Sequence, residues 1–442
     1  MKKLVLAVVV MLLGVALAAC DGSRGIKVQG VTETEILVGN TASKTGAFGI
    51  VGVPFSAAIE AVFEEYNARE DVVQKIKYIT YDDATDASVG LTNTKKLIEE
   101  DKVFALVGHV GTGTVGATLP YIQEMGVPMV YAATGINDLY FEKAEGNPIF
   151  AVQPIYRTDG RIAYARATNE ALFGPNKDQK LPATAKIGVL YTNDDAGKSI
   201  LAGIQDEAKL ANNESNLIIK SFLSDTVESV VKSMINDNPD VIIVAGNQAP
   251  FNEALIALDD NDNTTPVITS YVNTNASSIT VRPYGFDIYG SAWIDIVDPA
   301  GLYGFSQSYW DFVATMTAAG YGEAGAANNY TANAFAMAGY VAAKVFLAGL
   351  ENVEGELTFA SFIDAMESEP IQVPMGGEID FSEGKRWGIS SMSLSKLVYT
   401  AQVLGDNPAT EDVVETDFVV SAAKHAFAKV REIESLVEIN AK

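Results

Sequence analysis

The chain predicts an α/β fold built from two parallel sheets, each covered by helices on both faces. Three observations predict it. Short apolar runs alternate with amphipathic helical patterns, that alternation restarts midway, and 442 residues are enough to bury two cores. The first strand is expected over 35–40 and the first helix over 54–69, where Ile59, Val62, Phe63 and Tyr66 fall at i, i+3, i+4 and i+7. A strand over 77–81, a helix over 88–100, a strand over 103–108, a helix over 115–125 and a strand over 127–132 complete the first block. The second block runs through strands at 185–191, 217–222, 240–245 and 267–271, with helices at 197–211, 227–236 and 251–258 between them. The boundary falls near Tyr156. A late helix over 330–350 is rich in Ala and Gly and reads as buried, and 381–400 reads as a β-ribbon. After Gly405 the chain turns acidic. It then fits an amphipathic helix with the seam Phe418, Ala422, Ala426, Val430, Ile433 and Val437, which would leave His425 exposed.

The N-terminus carries a separate signal. Lys2 and Lys3 precede an apolar run that ends Leu17-Ala18-Ala19-Cys20, and Cys20 is the only cysteine. A basic start, an apolar middle and small residues before the cleavage point make an export signal. A cysteine at the first mature position makes it a bacterial lipoprotein signal, since that thiol receives diacylglycerol. The alternatives are an ordinary signal peptide with an accidental cysteine or a short membrane anchor, and the run is too short to span a bilayer comfortably. Residues 21–32 are polar and read as a tether.

Losing residues 1–19 removes Lys2 and Lys3, which takes the formal charge from −25 to −27. Such a surface excludes a nucleic-acid partner, whose phosphates require Lys and Arg, and a polybasic membrane patch. His109 and His425 are the only histidines, so a histidine-based metal site or a Ser-His-Asp triad is not expected. Several motifs imitate chemistry. Gly111-Thr112-Gly113-Thr114-Val115-Gly116 matches a dinucleotide fingerprint, but the next strand ends Tyr131-Ala132-Ala133-Thr134 without the required acid. What survives is a helix N-terminus with hydroxyls at Thr112 and Thr114, a seat for a carboxylate. Lys44-Thr45-Gly46 imitates a penicillin-recognition motif, yet the SxxK sequences at Ser229 and Ser421 follow it instead of preceding it. The acidic run 259–263 lacks the Gly and Glu of a calcium loop. In Asp82-Asp83 and Asp194-Asp195 the neighbours face opposite ways on a strand, so neither is an acid/base pair. His109 closes a buried strand and reads as packed.

The ordered pieces resemble a family. Val31-Thr32-Glu33-Thr34-Glu35-Ile36 leads into the first strand, followed by Thr45-Gly46-Ala47, Tyr81-Asp82-Asp83-Ala84 and Leu106-Val107-Gly108-His109. Gly126-Val127-Pro128, Ala133-Thr134-Gly135 and Met375-Gly376-Gly377-Glu378-Ile379-Asp380-Phe381 complete the series. From about Thr32 to Thr400 the chain resembles the type I periplasmic solute-binding proteins of branched-chain amino acid ABC transporters. The resemblance implies two Rossmann-like lobes joined by three crossovers around a ligand cleft. It implies lobe one over 34–156 plus 298–375 and lobe two over 157–297 plus 376–404, with 405–442 a helical extension outside the family pattern. It places carboxylate-binding positions on Thr112, Gly113, Ala133 and Thr134, and lobe-two contacts on Tyr156, Asp195, Gln248 and Tyr271. Tyr271 stands where amino-acid-binding members carry the acid that neutralises the α-ammonium, and Ala196 stands where they often carry an aromatic. The expected protein is therefore a monomeric, non-enzymatic, lipid-anchored solute binder without cofactor or metal, whose partners are a small carboxylate or amide ligand and an ABC permease. The alternative is a ligand-sensing lipoprotein that presents its closed form to a membrane receptor.

Overall fold

The computed structural model describes residues 28–46, 48–274, 279–296, 305–401, 403–405, 418–421 and 423–442. Cys20 and the expected leader lie outside the described residues. The first sheet is built from β1 (Glu35–Ala42), β2 (Lys75–Asp82), β3 (Ala105–Val110), β4 (Met129–Ala133) and β5 (Ile149–Phe150), in the order β2-β1-β3-β4-β5. Its pairings are all parallel. β3 is buried at every position, which is why its sequence ALVGHV shows no polar alternation. Between the strands run α1 (Gly49–Ala68), α2 (Ala87–Glu99) and α3 (Thr112–Met125). Asp86 caps α2 by accepting from the N–H groups of Ser88 and Val89. α3 stops where Gly126 adopts φ 71°, a left-handed C-cap that suits glycine.

The second sheet collects β6 (Ile187–Thr192), β7 (Leu217–Phe222), β8 (Val241–Ala245), β9 (Val267–Thr269) and β10 (Ile288–Ala292). These five are parallel, with α4 (Tyr156–Asn169), α5 (Asp195–Leu210), α6 (Val227–Asn236) and α7 (Gln248–Asp260) packed around them. The chain then returns to the first core through α8 (Gln307–Ala318), α9 (Ala334–Glu351) and α10 (Phe359–Ser368). There Phe346 meets Phe63 edge-on, Phe359 and Phe362 pack on Phe104, and the Thr315 hydroxyl donates to Glu65. α9 has the length and hydropathy of a membrane span, but it is a buried core helix, as its Ala/Gly content predicts. β11 (Ile371–Gln372) and β12 (Glu378–Ile379) form a small ribbon. β13 (Ser391–Thr400) then pairs antiparallel with β10. β14 (Val403–Gly405) and β15 (Phe418–Ser421) pair antiparallel, and β16 (Lys424–Ser435) pairs antiparallel with β13 before the short α11 (Leu436–Asn440).

The tail corrects the sequence expectation. Residues 424–435 are a strand, not an amphipathic helix. Ala422, Ala426 and Val430 are four apart, a spacing that lies on one face of a helix but equally on one face of a strand, whose period is two. The open edge of β13 decides the matter, since β16 supplies it with a long backbone ladder. His425 is accordingly buried, with Nε2 2.8 Å from the carbonyl of Arg282.

Candidate functional site

In both sheets the parallel strands end on the same edge, where open α/β sheets present their ligand-binding loops. On the first lobe that edge is organised by the Asp82-Asp83 pair. Asp82 accepts from the N–H groups of Lys44 (2.9 Å) and Thr45 (3.3 Å) and from the Thr45 hydroxyl (2.6 Å). Burial pushes its carboxyl up, but the Thr45 hydroxyl and the N–H groups of Ala84, Lys44 and Thr45 outweigh it and hold the pKa at about 2. Asp83 is buried and accepts from the hydroxyls of Thr41 (3.0 Å), Ser43 (3.1 Å) and Thr114 (3.3 Å). The two carboxylates thus clamp the loop after β1 against the start of α3, a structural task and not an acid/base one.

Thr112 and Thr134 come together at this edge, their hydroxyl oxygens 2.9 Å apart. Gly111, at φ 102°, makes the turn from β3 into α3 and offers no side-chain cap. The first-turn N–H groups at Thr112 and Gly113 therefore remain available to an outside acceptor. Thr112 and Gly113 are exposed, Ala133 is half-buried and Thr134 is buried. Gly135 follows, with its face against Tyr156: a Cβ there would sit 2.8 Å from the Tyr156 Cδ1. The Gly135 carbonyl also accepts the Tyr156 N–H at 2.8 Å. Tyr156, the first residue of α4, is thereby held beside the threonine pair. Burial, then the charges of Asp159 and Asp194, push its phenol up to about 12.

Tyr271 follows β9, its ring centroid 6.4 Å from that of Tyr156. Its hydroxyl donates to the Pro154 carbonyl at 3.0 Å and accepts from Gln153 Nε2 at 3.3 Å. The phenol is therefore engaged with the segment that joins the lobes. Gln248 opens α7 and donates to the Val272 carbonyl at 2.9 Å, which ties the β8 and β9 loops together. Asp195 is exposed at the start of α5, whereas Asp194 is the residue that caps the helix, accepting from the Gly197 N–H at 2.8 Å. The structure thus gathers Thr112, Gly113, Ala133, Thr134, Tyr156 and Tyr271 around one region. Gln248 reaches it through the Tyr271 turn, and Asp195 sits apart on the β6 edge.

The crossovers lie directly beneath. Ile389 N–H donates to the Val152 carbonyl at 2.8 Å, and the Thr158 hydroxyl donates to the Trp387 carbonyl at 2.6 Å, so the first and third crossovers run side by side. Tyr131 donates to Gln153 at 3.2 Å and packs on Trp293 of the second crossover, centroid to centroid 6.4 Å.

Two groups of residues were not singled out from the sequence. Gln153 and Asp159 are polar residues whose contacts lie with distant partners, Tyr131 and Tyr271. Phe48 (55% exposed), Ile50 (74%) and Phe335 (41%) are apolar residues left in solvent. Gly339 of α9 lies against the Phe55 backbone and Phe346 against Phe63, so α1 and α9 run parallel and Phe335 is level with the N-terminal end of α1. All three then sit at the edge of lobe one where its parallel strands end. Apolar residues outside the helical core stripe were the signal available.

Two α/β lobes joined by paired crossovers, with a hydroxyl pair and an uncapped helix N-terminus at the strand ends, define a class of two-lobed solute-binding proteins. The chain belongs to the periplasmic binding protein family, whose model matches residues 35–401. Solved structures agree on the fold. A fatty acid ABC transporter substrate-binding protein from Thermomonospora curvata is 16% identical, covers 95% of this chain and 96% of its own, and has a TM-score of 0.62. A branched chain amino acid ABC transporter protein from Thermus thermophilus with bound valine is 12% identical, covers 93% and 99%, and also has a TM-score of 0.62. A solute binding protein of an ABC transporter from Rhodopseudomonas palustris BisB5, in complex with 3,4-dihydroxy benzoic acid, is 17% identical, covers 90% and 99%, and has a TM-score of 0.58. None of the curated proteins matches this chain. The family is a solute-binding class, and membership implies an extracytoplasmic location.

Proposed function

We propose that this chain is a lipid-anchored solute-binding protein that captures a small carboxylate- or amide-containing ligand by lobe closure and delivers it to an ABC permease. The observation that carries the ligand class is the Thr112–Thr134 hydroxyl pair beside the uncapped N-terminus of α3. Hydroxyls and first-turn N–H groups suit an anionic oxygen. The lobe-two position at which the resemblance expects an acid for an ammonium holds Tyr271 instead. The Tyr271 phenol is engaged with Pro154 and Gln153, Asp194 is spent as a helix cap, and Asp195 is exposed at the start of α5. A buried ammonium without a carboxylate partner is expensive. The exposed Phe48, Ile50 and Phe335 at the strand-end edge of lobe one favour a ligand with an apolar part. Two solved neighbours carry valine and 3,4-dihydroxy benzoic acid, which share a carboxylate and differ in the ammonium. Anchoring rests on Leu17-Ala18-Ala19-Cys20, and delivery rests on the family.

The test is a thermal-shift panel that sets leucine, isoleucine and valine beside their deaminated analogues and aromatic acids. A ligand at a hundred times its dissociation constant stabilises by about 2.7 kcal/mol. The expected result is a shift with a deaminated or aromatic acid. A strong shift with leucine and none with its deaminated analogue would place an ammonium site that this reading denies.

A further inference from the structure

Asp159 lies in the first turn of α4 and is 0% exposed, and its Oδ2 has no hydrogen-bond partner. Its Oδ1 accepts the Tyr271 N–H at 3.4 Å. Tyr271 is the residue whose hydroxyl grips Gln153 and Pro154 in the first crossover. The residue before Asp159, Thr158, holds the third crossover through Trp387. One helical turn therefore fastens both crossovers, one of them through a buried carboxyl that is only half satisfied.

We propose that Asp159 is a positioning residue of the hinge, whose buried carboxyl holds the Ser270–Tyr271 turn in place and whose proton decides how firmly Tyr271 grips the first crossover. Among the described residues the charge has no counter-ion. Tyr156 faces it from its own helix and Tyr271 from the β9 turn, with Tyr131 beyond Tyr271 and Asp194 at the start of α5. Arg157 and Arg161 of the same helix are paired elsewhere, with Asp206 and Glu207 of α5. β8, with sequence VIIVA, brings no ionisable side chain. Burial raises the Asp159 pKa to about 7, against the opposing pull of the nearby Ser270 side chain and the Tyr271 N–H. In a turn that has swung away, the hydrated carboxyl returns to about 3.9. The seated turn is thus the proton-holding state. It is fully favoured below the hydrated value, loses ground as pH rises between about 4 and about 7, and levels off above that. The consequence for capture rests on the solute-binding reading, because a loosened turn weakens the grip between the lobes.

The test needs no ligand, so its failure and the failure of that reading are distinguishable. Amide hydrogen exchange of the full chain, corrected for intrinsic rates, follows the peptide carrying Ser270–Asn273 between about pH 5 and about pH 7.5. In the wild type its protection should fall with rising pH, by at most about tenfold per unit. Asp159→Asn, neutral throughout, should stay protected and level with pH. Tyr271→Phe keeps the N–H contact, so it should retain the pH profile at 270–273 while the peptide over 152–155 exchanges faster. The proposal is overturned if wild type and Asp159→Asn show the same pH profile, or if Tyr271→Phe leaves the 152–155 peptide unchanged.

Discussion

Gly203→Ala should destabilise the second lobe even though alanine is the better helix former. Gly203 lies within α5, where the exchange alone would gain about 1 kcal/mol. At this position, however, the new Cβ would sit 1.8 Å from the Arg157 carbonyl oxygen of α4. The reciprocal residue, Gly160 of α4, would place a Cβ 2.0 Å from the Ile200 carbonyl oxygen of α5. The two helices therefore cross backbone to backbone, and neither obstacle is the flexible end of a side chain. Relieving the clash needs the helices to part by more than 1 Å in a packed layer, and overpacking of that kind costs about 3 kcal/mol. The net loss is about 2 kcal/mol, or roughly 4–8 °C in the melting of a unit of this size. Because α4 carries Tyr156 and Asp159, the displacement also reaches the hinge. Thermal unfolding by calorimetry is the assay, with Gly113→Ala as the control. That exchange, in the exposed first turn of α3, meets only the Ala87 Cβ at 3.8 Å and should leave the melting temperature unchanged or slightly higher. A Gly203→Ala protein as stable as the wild type would refute the crossing geometry.

Three further outcomes follow. Thr134→Ala removes one hydroxyl of the proposed carboxylate seat, and a hydrogen bond to a charged group is worth about 1.5–3 kcal/mol. Calorimetric affinity for the ligand found in the panel should fall tenfold or more, with little change in unfolding. His109 is buried, and that burial lowers its pKa to about 3. Since the unfolded imidazole titrates near 6.5, stability is complete above that value and is lost as pH falls toward 3, on the order of 5 kcal/mol in all. Urea unfolding of His109→Gln should show a shallower acid limb than the wild type. Cys20→Ser should move the protein from the membrane fraction to the soluble one, which fractionation and immunoblotting would read.

The parallel sheets were legible because their signals are local. The run Leu217–Phe222 and the helix Val227–Asn236 appear where periodicity puts them, and the other early elements shift by a few residues at their ends. The tail was not legible, because a spacing of four residues satisfies a helix and a strand alike, and only the distant edge of β13 chooses between them. The Thr112–Thr134 pair on which the proposed carboxylate seat rests was readable, since a glycine turn into a helix and hydroxyls at its start are local features. The hinge was not. Tyr271 looked like a ligand contact, and its hydroxyl is committed to Gln153 and Pro154, more than a hundred residues earlier. Asp82 and Asp83 were not legible as the residues that fasten the β1 loop. Their clamp on the β1 loop depends on the parallel register that brings Asp82 level with Ala42.

Small-angle scattering of the full chain, titrated with the ligand that gives the largest thermal shift, tests the central claim of capture by closure most directly. The account predicts a saturable fall in the radius of gyration, with the midpoint at the calorimetric dissociation constant, as ligand contacts from both lobes favour the closed form. A scattering profile that stays the same from the free protein to saturation would contradict it.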